Sequence, residues 1–382
     1  MADFVFRISP NIILGPYVTT RLGQFARDYG TKYMVILDPL IKEVGIADKV
    51  TQSLDDRKVD YFTFDEIPEG GDTEVVQAAL GLARQAHIHG IIAVGGAKAM
   101  NVGKAVCSIY NDSHDIYDYV DAGVPACAPL PLICVPTTIR DPFIFSDRTP
   151  LIDSRNMQLK LLKNQNGLVK VCLFDPNHIS TLTENQIASM SIETLCIAVE
   201  AYISQKASFF SDMIIEKSLE ILSYAIDGSP TLTVTTPRDV LLTQGGCMVS
   251  LASATSSLGQ ASLLALTINS RYNISRSLTA GILLPYVLDD VKKYKTDRLA
   301  KLSKIIRAAS PDDNDEDAAT AFAEYIRTHI AKANLPARLK DLGVSIEQLS
   351  LAAEDAGEQD IMNNLAKSMT ADDLFDLVKR AY

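Results

Sequence analysis

Apolar positions gather in short unbroken runs through the first half of the chain, and stretches of helical periodicity separate them. Tyr33-Met34-Val35-Ile36-Leu37-Asp38 predicts a buried strand, and Gly45 to Leu54 the helix that follows its loop. A second strand is predicted over Val59 to Phe64, leading into a turn at Pro68-Glu69-Gly70-Gly71-Asp72. From Thr73 to His87, Val75, Val76, Ala79, Leu80 and Leu82 recur at helical spacing. The strand Gly90-Ile91-Ile92-Ala93-Val94 runs directly into Gly95-Gly96, and helix continues through Asn101 to Ser108. Pro131 to Thr138 is another apolar strand, and Val169 to Asp175 is the last. Strands alternating with helices predict an α/β fold with a parallel sheet.

The pattern changes after Pro176. From about Thr183, where Thr183-x-x-Gln186 has the form of a capping box, the chain reads as helices with no further strand. The boundary is therefore expected near Leu182, with an α/β nucleotide-binding domain over 1–182 and an all-helical domain over 183–382. The acidic stretch Pro311 to Asp317 is expected to be a solvated loop.

Composition narrows the partners. A chain of 382 residues exceeds the size at which one core keeps growing, which agrees with two domains. Hydrophobic residues at 47% and charged residues at 22% suit a globular protein, and no apolar run approaches the roughly 20 residues of a membrane span. The start, MADFVFRISPNIILG, lacks the basic and apolar regions of a secretory signal, so a cytoplasmic location is expected. A formal charge of −11 without a dense Lys/Arg cluster argues against nucleic acid and leaves small molecules as partners. The six cysteines show no C-x-x-C spacing and are expected to be buried free thiols. The five histidines leave the span from Ile179 to Thr328 without any.

A strand that ends in Gly-Gly and opens a helix aims backbone N–H groups at whatever lies there, and the helix dipole favours an anion such as phosphate. Val94-Gly95-Gly96-Ala97 has this form, although it is not the spaced G-x-G-x-x-G fingerprint. Its surroundings add to it. Ile91 through Ala105 resembles the GGGS-x-x-D-x-A-K motif of the iron-containing alcohol dehydrogenase family, within the dehydroquinate synthase-like superfamily. Val135-Pro136-Thr137-Thr138, Phe174-Asp175-Pro176 and Glu193-x-Leu195-x-x-Ala198-x-Glu200-Ala201-Tyr202 follow in the family's order. Leu258-Gly259 through Tyr272-Asn273 to Ile282-Leu283-Leu284-Pro285-Tyr286-Val287 matches its later segment without a gap.

The resemblance covers nearly the whole chain. It implies an NAD(H)-linked oxidoreductase acting on an alcohol or carbonyl compound, with the cofactor between the two halves and homo-oligomeric (dimeric) assembly. Carried onto this chain, the cofactor contacts are Asp38, Gly95, Gly96, Ala97, Lys98, Asn101, Thr137 and Thr138. Asp38 matches the position whose carboxylate holds an adenosine ribose and favours NAD over NADP, although Asp38-Pro39 also reads as a plain turn.

The departures gather at the chemistry. Family members bind iron or zinc through an Asp, a His four residues later and two further histidines; these positions are Glu193, Ile197, Ser262 and Arg276 here, and the additional pocket histidine is Leu266. Glu193 is the residue type used by dehydroquinate synthases, but isoleucine has no lone pair, serine is a poor ligand and a guanidinium is a permanent cation. No bound iron or zinc is expected. The family's A-G-T-G-S-E turn is Ile139-Arg140-Asp141-Pro142-Phe143-Ile144, bulky where glycines would let a cofactor approach.

Two main readings follow, beside a third, a related metal-dependent lyase or cyclase, which Glu193 alone suggests and the missing histidines argue against. In one, a metal-independent oxidoreductase uses fixed cations in place of the metal, with Arg276, Lys98 and Arg140 as candidates and an anionic substrate favoured. In the other, the chain is a non-catalytic nucleotide- or partner-binding member of the fold. Arg276 is expected to occupy or border the vacated metal position and pair with Glu193, with Ile197 filling volume beside them, the alternative being that Arg276 turns outward to solvent.

Overall fold

The computed structural model describes residues 10–67, 72–165, 167–228 and 236–382. The turn expected at Pro68 to Asp72 lies outside them, apart from Asp72. The chain divides into two compact units, Met1–Thr181 and Leu182–Tyr382.

In the first unit, strands β1 (Asn11–Leu14), β2 (Lys32–Leu37), β3 (Asp60–Phe64), β4 (Gly90–Gly95), β5 (Leu132–Pro136) and β8 (Val169–Phe174) form a parallel sheet in the order β1-β8-β5-β4-β2-β3. Its described helices are α1 (Leu22–Ala26), α2 (Leu40–Glu43), α3 (Ile46–Asp55), α4 (Asp72–Ala86), α5 (Ala97–Ile109) and α6 (Ile116–Val120). Every residue of β4 and β5 is buried, which is why these strands are continuous apolar runs rather than alternating ones. From β2 the chain moves outward to β3, whereas from β4 it moves the other way to β5. The β2/β4 pair is thus the topological switch point, where ligands of open α/β sheets bind at the carboxyl ends of strands.

Two features escaped the sequence pattern. One is β1, a four-residue edge strand. The other is the antiparallel hairpin of β6 (Arg148–Asp153) and β7 (Gln158–Lys163), with Pro150 inside a strand. Proline argues against a central strand, but a two-stranded sheet leaves each strand one unpaired edge where the missing N–H costs little.

The second unit is helical: α7 (Glu184–Ile203), α8 (Phe209–Asp227), α9 (Arg238–Thr255), α10 (Gln260–Tyr272), α11 (Arg276–Val291), α12 (Thr296–Ile305), α13 (Asp315–Lys332), α14 (Ile346–Gly357) and α15 (Ala371–Ala381). The capping box at the start of α7 is present, with Thr183 N–H donating to Gln186 Oε1 at 2.8 Å. By length and hydropathy α7 qualifies as a membrane span, contrary to the run-length reading, yet 78% of its apolar window is buried, as in the core helix of a globular domain. The acidic stretch is not all loop: Asn314 caps α13, and Asp315, Glu316 and Asp317 form its first turn, where the dipole favours negative charge. Of the six free cysteines, five are buried and Cys127 is half-buried.

Candidate functional site

The switch point brings together residues far apart in sequence. Asp38 follows β2, its N–H donating to Val94 O at 3.0 Å, and Thr137 N–H donates to Gly95 O at 3.0 Å. Asp38, Gly95-Gly96 and Thr137-Thr138 therefore lie side by side at three neighbouring strand ends. Gly96 is the N-cap of α5, and no side chain caps that helix. The positive end of the α5 dipole therefore has no side-chain cap, the arrangement that suits an anion at such a turn.

The two glycines do different things. Gly95 has φ +143, and a Cβ there would stand 2.5 Å from Asp38 Cβ. A Cβ on Gly96 would meet only Thr138 Cγ2 at 3.6 Å and Asp38 Oδ2 at 3.7 Å, so its bareness leaves open space beside the turn. Asp38 Oδ1 accepts from Leu40 N–H at 3.1 Å, closing the turn, and its Oδ2 lies beside Gly96. Deeper in α5, Asn101 is buried, and among the described residues its Oδ1 has no hydrogen-bond partner.

The β5 end is anchored by a histidine the sequence reading passed over. His178 Nδ1 lies 3.4 Å from Pro136 O, and its Nε2 lies 3.1 Å from Thr19 Oγ1. A carbonyl only accepts, so Nδ1 carries the proton and Nε2 accepts from the threonine. Burial pushes the His178 pKa down, which keeps the ring neutral in this arrangement.

Two of the expected cations are committed elsewhere. Lys98 Nζ is 3.4 Å from Asp72 Oδ1, an ion pair with a carboxylate that opens α4. Arg140 is buried and already has interaction partners, and its carbonyl accepts from Thr138 Oγ1 at 3.1 Å. The loop that carries Arg140 is packed, with Ile139, Asp141, Phe143 and Ile144 buried. It is held by Lys104, whose Nζ donates to the carbonyls of Phe143 at 2.6 Å, Ser146 at 3.0 Å and Arg148 at 2.8 Å.

Burial pushes the Lys104 pKa down from 10.5 to about 8. Between those values the unfolded chain binds more protons than the folded one, so this group's contribution raises stability as pH climbs through about 8. Lys104→Met is therefore expected to destabilise at neutral pH, by leaving carbonyls unpaired, and to remove that alkaline rise. Denaturant titrations of both proteins from pH 7 to about pH 10, spanning the lowered and ordinary lysine pKa values, check it; parallel pH profiles would refute it.

In the second unit, Glu193 and Ile197 lie one turn apart on α7, buried. Glu193 Oε2 accepts from Ser277 Oγ, 84 residues later, at 2.5 Å. Arg276 opens α11 half-buried, and no hydrogen bond or ion pair joins it to Glu193 among the described residues. The expected Arg276–Glu193 pair is corrected accordingly. Successive helical residues point about 100° apart, and it is Ser277, not Arg276, that α11 turns to Glu193. Ser262 Oγ lies 3.9 Å from Cys196 Sγ, with Leu266 buried one turn further along α10.

The sequence reading also missed what shapes this region. Glu200 is fully buried and accepts from the N–H groups of Gly259 at 3.0 Å, Ala261 at 2.6 Å and Ser262 at 3.3 Å. Its carboxylate caps α10 at the positive end of the dipole and secures the 97° bend between α9 and α10. The available signal was a lone acid inside Ile197-Ala198-Val199-Glu200-Ala201-Tyr202.

The family model for iron-containing alcohol dehydrogenases matches residues 9–175, and the model for the C-terminal part of the Fe-containing alcohol dehydrogenase family matches residues 187–382. The chain belongs to the iron-containing alcohol dehydrogenase family.

Within this family of oxidoreductases, it is similar to long-chain-alcohol dehydrogenase 1 of Geobacillus thermodenitrificans, at 23% identity over 86% of this chain and 84% of that one. The fold matches a solved 1,3-propanediol oxidoreductase with a TM-score of 0.90 at 19% identity, over 100% of both chains. Sulfoacetaldehyde reductase from Bifidobacterium kashiwanohense, solved with NAD+, matches with a TM-score of 0.84 at 18% identity, over 100% of this chain and 99% of that one.

The family name implies a metal, and the donor set here does not suit one. Of the four ligand positions only Glu193 offers a good oxygen donor, and one of its oxygens accepts from Ser277. Among the described residues, no group of three or more His, Cys, Asp or Glu side chains converges. A dinucleotide is different, because the uncapped α5 terminus, the space beside Gly96 and the Asp38 carboxylate are groups of the kind that hold one.

Proposed function

We propose that this chain is an NAD(H)-linked oxidoreductase for a small carbonyl or alcohol compound bearing an acidic group, and that it works without iron or zinc. The observation that carries the reading is the uncapped N-terminus of α5 at the switch point, flanked by Asp38 and Thr138. N–H groups of Ala97 and Lys98 would hold the pyrophosphate, and Asp38 would accept from an adenosine ribose hydroxyl and repel a 2′-phosphate, favouring NAD over NADP. The structural neighbour sulfoacetaldehyde reductase was solved with NAD+, which agrees. When bound, NADH supplies the hydride that reduces a carbonyl carbon, and the oxygen takes a proton from solvent.

Arg276 is the favoured electrophile. Among the described residues its guanidinium makes no hydrogen bond or ion pair, whereas Lys98 is paired with Asp72 and Arg140 is engaged. Five fixed donors suit a carboxylate or phosphate, or the oxygen on which charge develops.

The test has three parts: NADH titration by fluorescence, metal analysis, and turnover of carbonyl compounds with and without an acidic group after chelation. We expect NADH binding, no stoichiometric iron or zinc, and a preference for the anionic compounds. Arg276→Ala is expected to lower kcat/KM by about 100-fold, as for loss of a donor to a developing oxyanion, with NADH affinity unchanged. Activity that vanishes on chelation, or an unaffected Arg276→Ala variant, would overturn the proposal. Binding of NADH without turnover would favour the non-catalytic reading, which the replacement of the histidine ligands by Ile197, Ser262 and Arg276 independently supports.

A further inference from the structure

The second unit contains a cavity of about 660 Å³ where the first turn of α10, the end of α11 and helix α15 with the segment before it come together. Gln260, the first residue of α10, lines it. The residue is 3% exposed, and among the described residues its side chain has no hydrogen-bond partner. A primary amide brings two donors and an acceptor, and a buried one is normally satisfied.

Four cations line the same cavity: Lys293, Lys367, Lys379 and Arg380. Three carboxylates line it as well, each engaged within the fold, although Asp373 and Asp376 use only one oxygen each in these contacts. Asp290 receives both Arg380 and Lys293, and Asp376 receives Lys379. Asp373 accepts from Thr370 N–H at 2.7 Å and Thr370 Oγ1 at 3.0 Å, capping α15.

The cations are not all engaged in this way. Lys367 has no ion pair among the described residues, and an ammonium has three donors, so Lys293 and Lys379 retain capacity beyond one carboxylate each. The Tyr294 hydroxyl on the same wall is likewise without a partner among the described residues.

Four cations thus face three carboxylates in the lining, and this excess of positive charge, with the Gln260 amide and the Tyr294 hydroxyl beside it, would be matched by an anion. We propose that it binds a small organic anion through a carboxylate or phosphate at Lys367 and Lys379, with a hydrogen-bonding group of the ligand meeting Gln260. The cavity is lined by residues of the second unit, whereas the Gly95-Gly96 turn belongs to the first, and the proposal does not depend on the function assigned to that turn.

Inorganic phosphate and citrate, titrated into the full chain at constant ionic strength against sodium chloride, are the probes, read by thermal shift and calorimetry. Both anions are expected to raise Tm, and Lys367→Glu to weaken their binding by at least about tenfold, a 1.4 kcal/mol change. Gln260→Leu is expected to weaken citrate more than phosphate. The matched control is Lys217→Glu, an exposed lysine on α8, which should bind both as the parent does. Stabilisation no greater than that of sodium chloride would overturn the proposal, as would equal losses in Lys367→Glu and Lys217→Glu. So would phosphate binding that Gly96→Val abolishes and Lys367→Glu leaves intact, because the anion would then belong to the α5 terminus.

Discussion

Replacing Glu200 by Ala is expected to destabilise the protein by about 4 kcal/mol, as for loss of a buried charged acceptor that leaves several helix N–H groups unpaired. The three donors at Gly259, Ala261 and Ser262 sit at the start of α10 and have no intrahelical partner. All three residues are buried. Glu200→Gln keeps one oxygen acceptor and is expected to lose less.

The two variants also differ in pH response. Burial raises the Glu200 pKa above 4.5 more than the hydrogen bonds to Ser262 and the backbone lower it. A carboxyl with a raised folded pKa contributes most below the unfolded value, and its contribution falls as pH rises through the folded one. Glu200→Gln should flatten stability over that window. Gly259→Ala offers an independent check, because its Cβ would lie 2.7 Å from Glu200 Cδ and displace the carboxylate. Urea unfolding of the three variants is the measurement; a Glu200→Ala loss below about 1 kcal/mol, the scale of one ordinary hydrogen bond, would show that the bend is held by something else.

Gly95 and Gly96, adjacent and chemically identical, are expected to fail in opposite ways. Gly95→Ala places a side chain at φ +143 and drives its Cβ to 2.5 Å from Asp38 Cβ and 3.3 Å from Asp38 N, so β2 and β4 cannot keep their register. A loss of roughly 3 kcal/mol or more is expected from the combined strain and overpacking. Gly96 has φ −80 and ψ −173, extended backbone open to any residue, and ordinary contact distances around its missing Cβ.

Gly96→Val should therefore fold normally, with stability within about 1 kcal/mol of the parent, the scale of an N-cap exchange. Its branched side chain fills the space beside the α5 N–H groups, and NADH affinity should fall at least about 30-fold, some 2 kcal/mol. Paired thermal unfolding and NADH titrations read both effects. Unchanged NADH affinity in a folded Gly96→Val variant would place the dinucleotide elsewhere and remove the basis of the functional reading.

Much of this was legible in the chain itself. Tyr33 to Leu37, Gly90 to Val94 and Leu132 to Pro136 lie in interior strands whose residues are all buried, and such strands must be apolar throughout, which makes them conspicuous. The Gly-Gly turn, the Thr183 capping box and the order of the family's motifs are equally local. They rest on neighbours within a few residues, so the α/β half, the helical half and the family could be read from them. The replacement of the ligand histidines is a matter of residue identity alone.

What only the tertiary structure decided is how polar groups are partnered. Lys98 meets Asp72, Lys104 meets three carbonyls of a loop about 40 residues on, Glu193 meets Ser277 rather than Arg276, and Glu200 caps a helix 59 residues later. Short strands escaped for a related reason: β1 has four residues, and β6 tolerates Pro150 through its free edge. Apolar burial is nonspecific and announces itself as periodicity. A buried charge or amide instead requires a particular donor or acceptor at about 3 Å, and which one arrives is settled by how helices and strands pack, not by anything beside it in the chain.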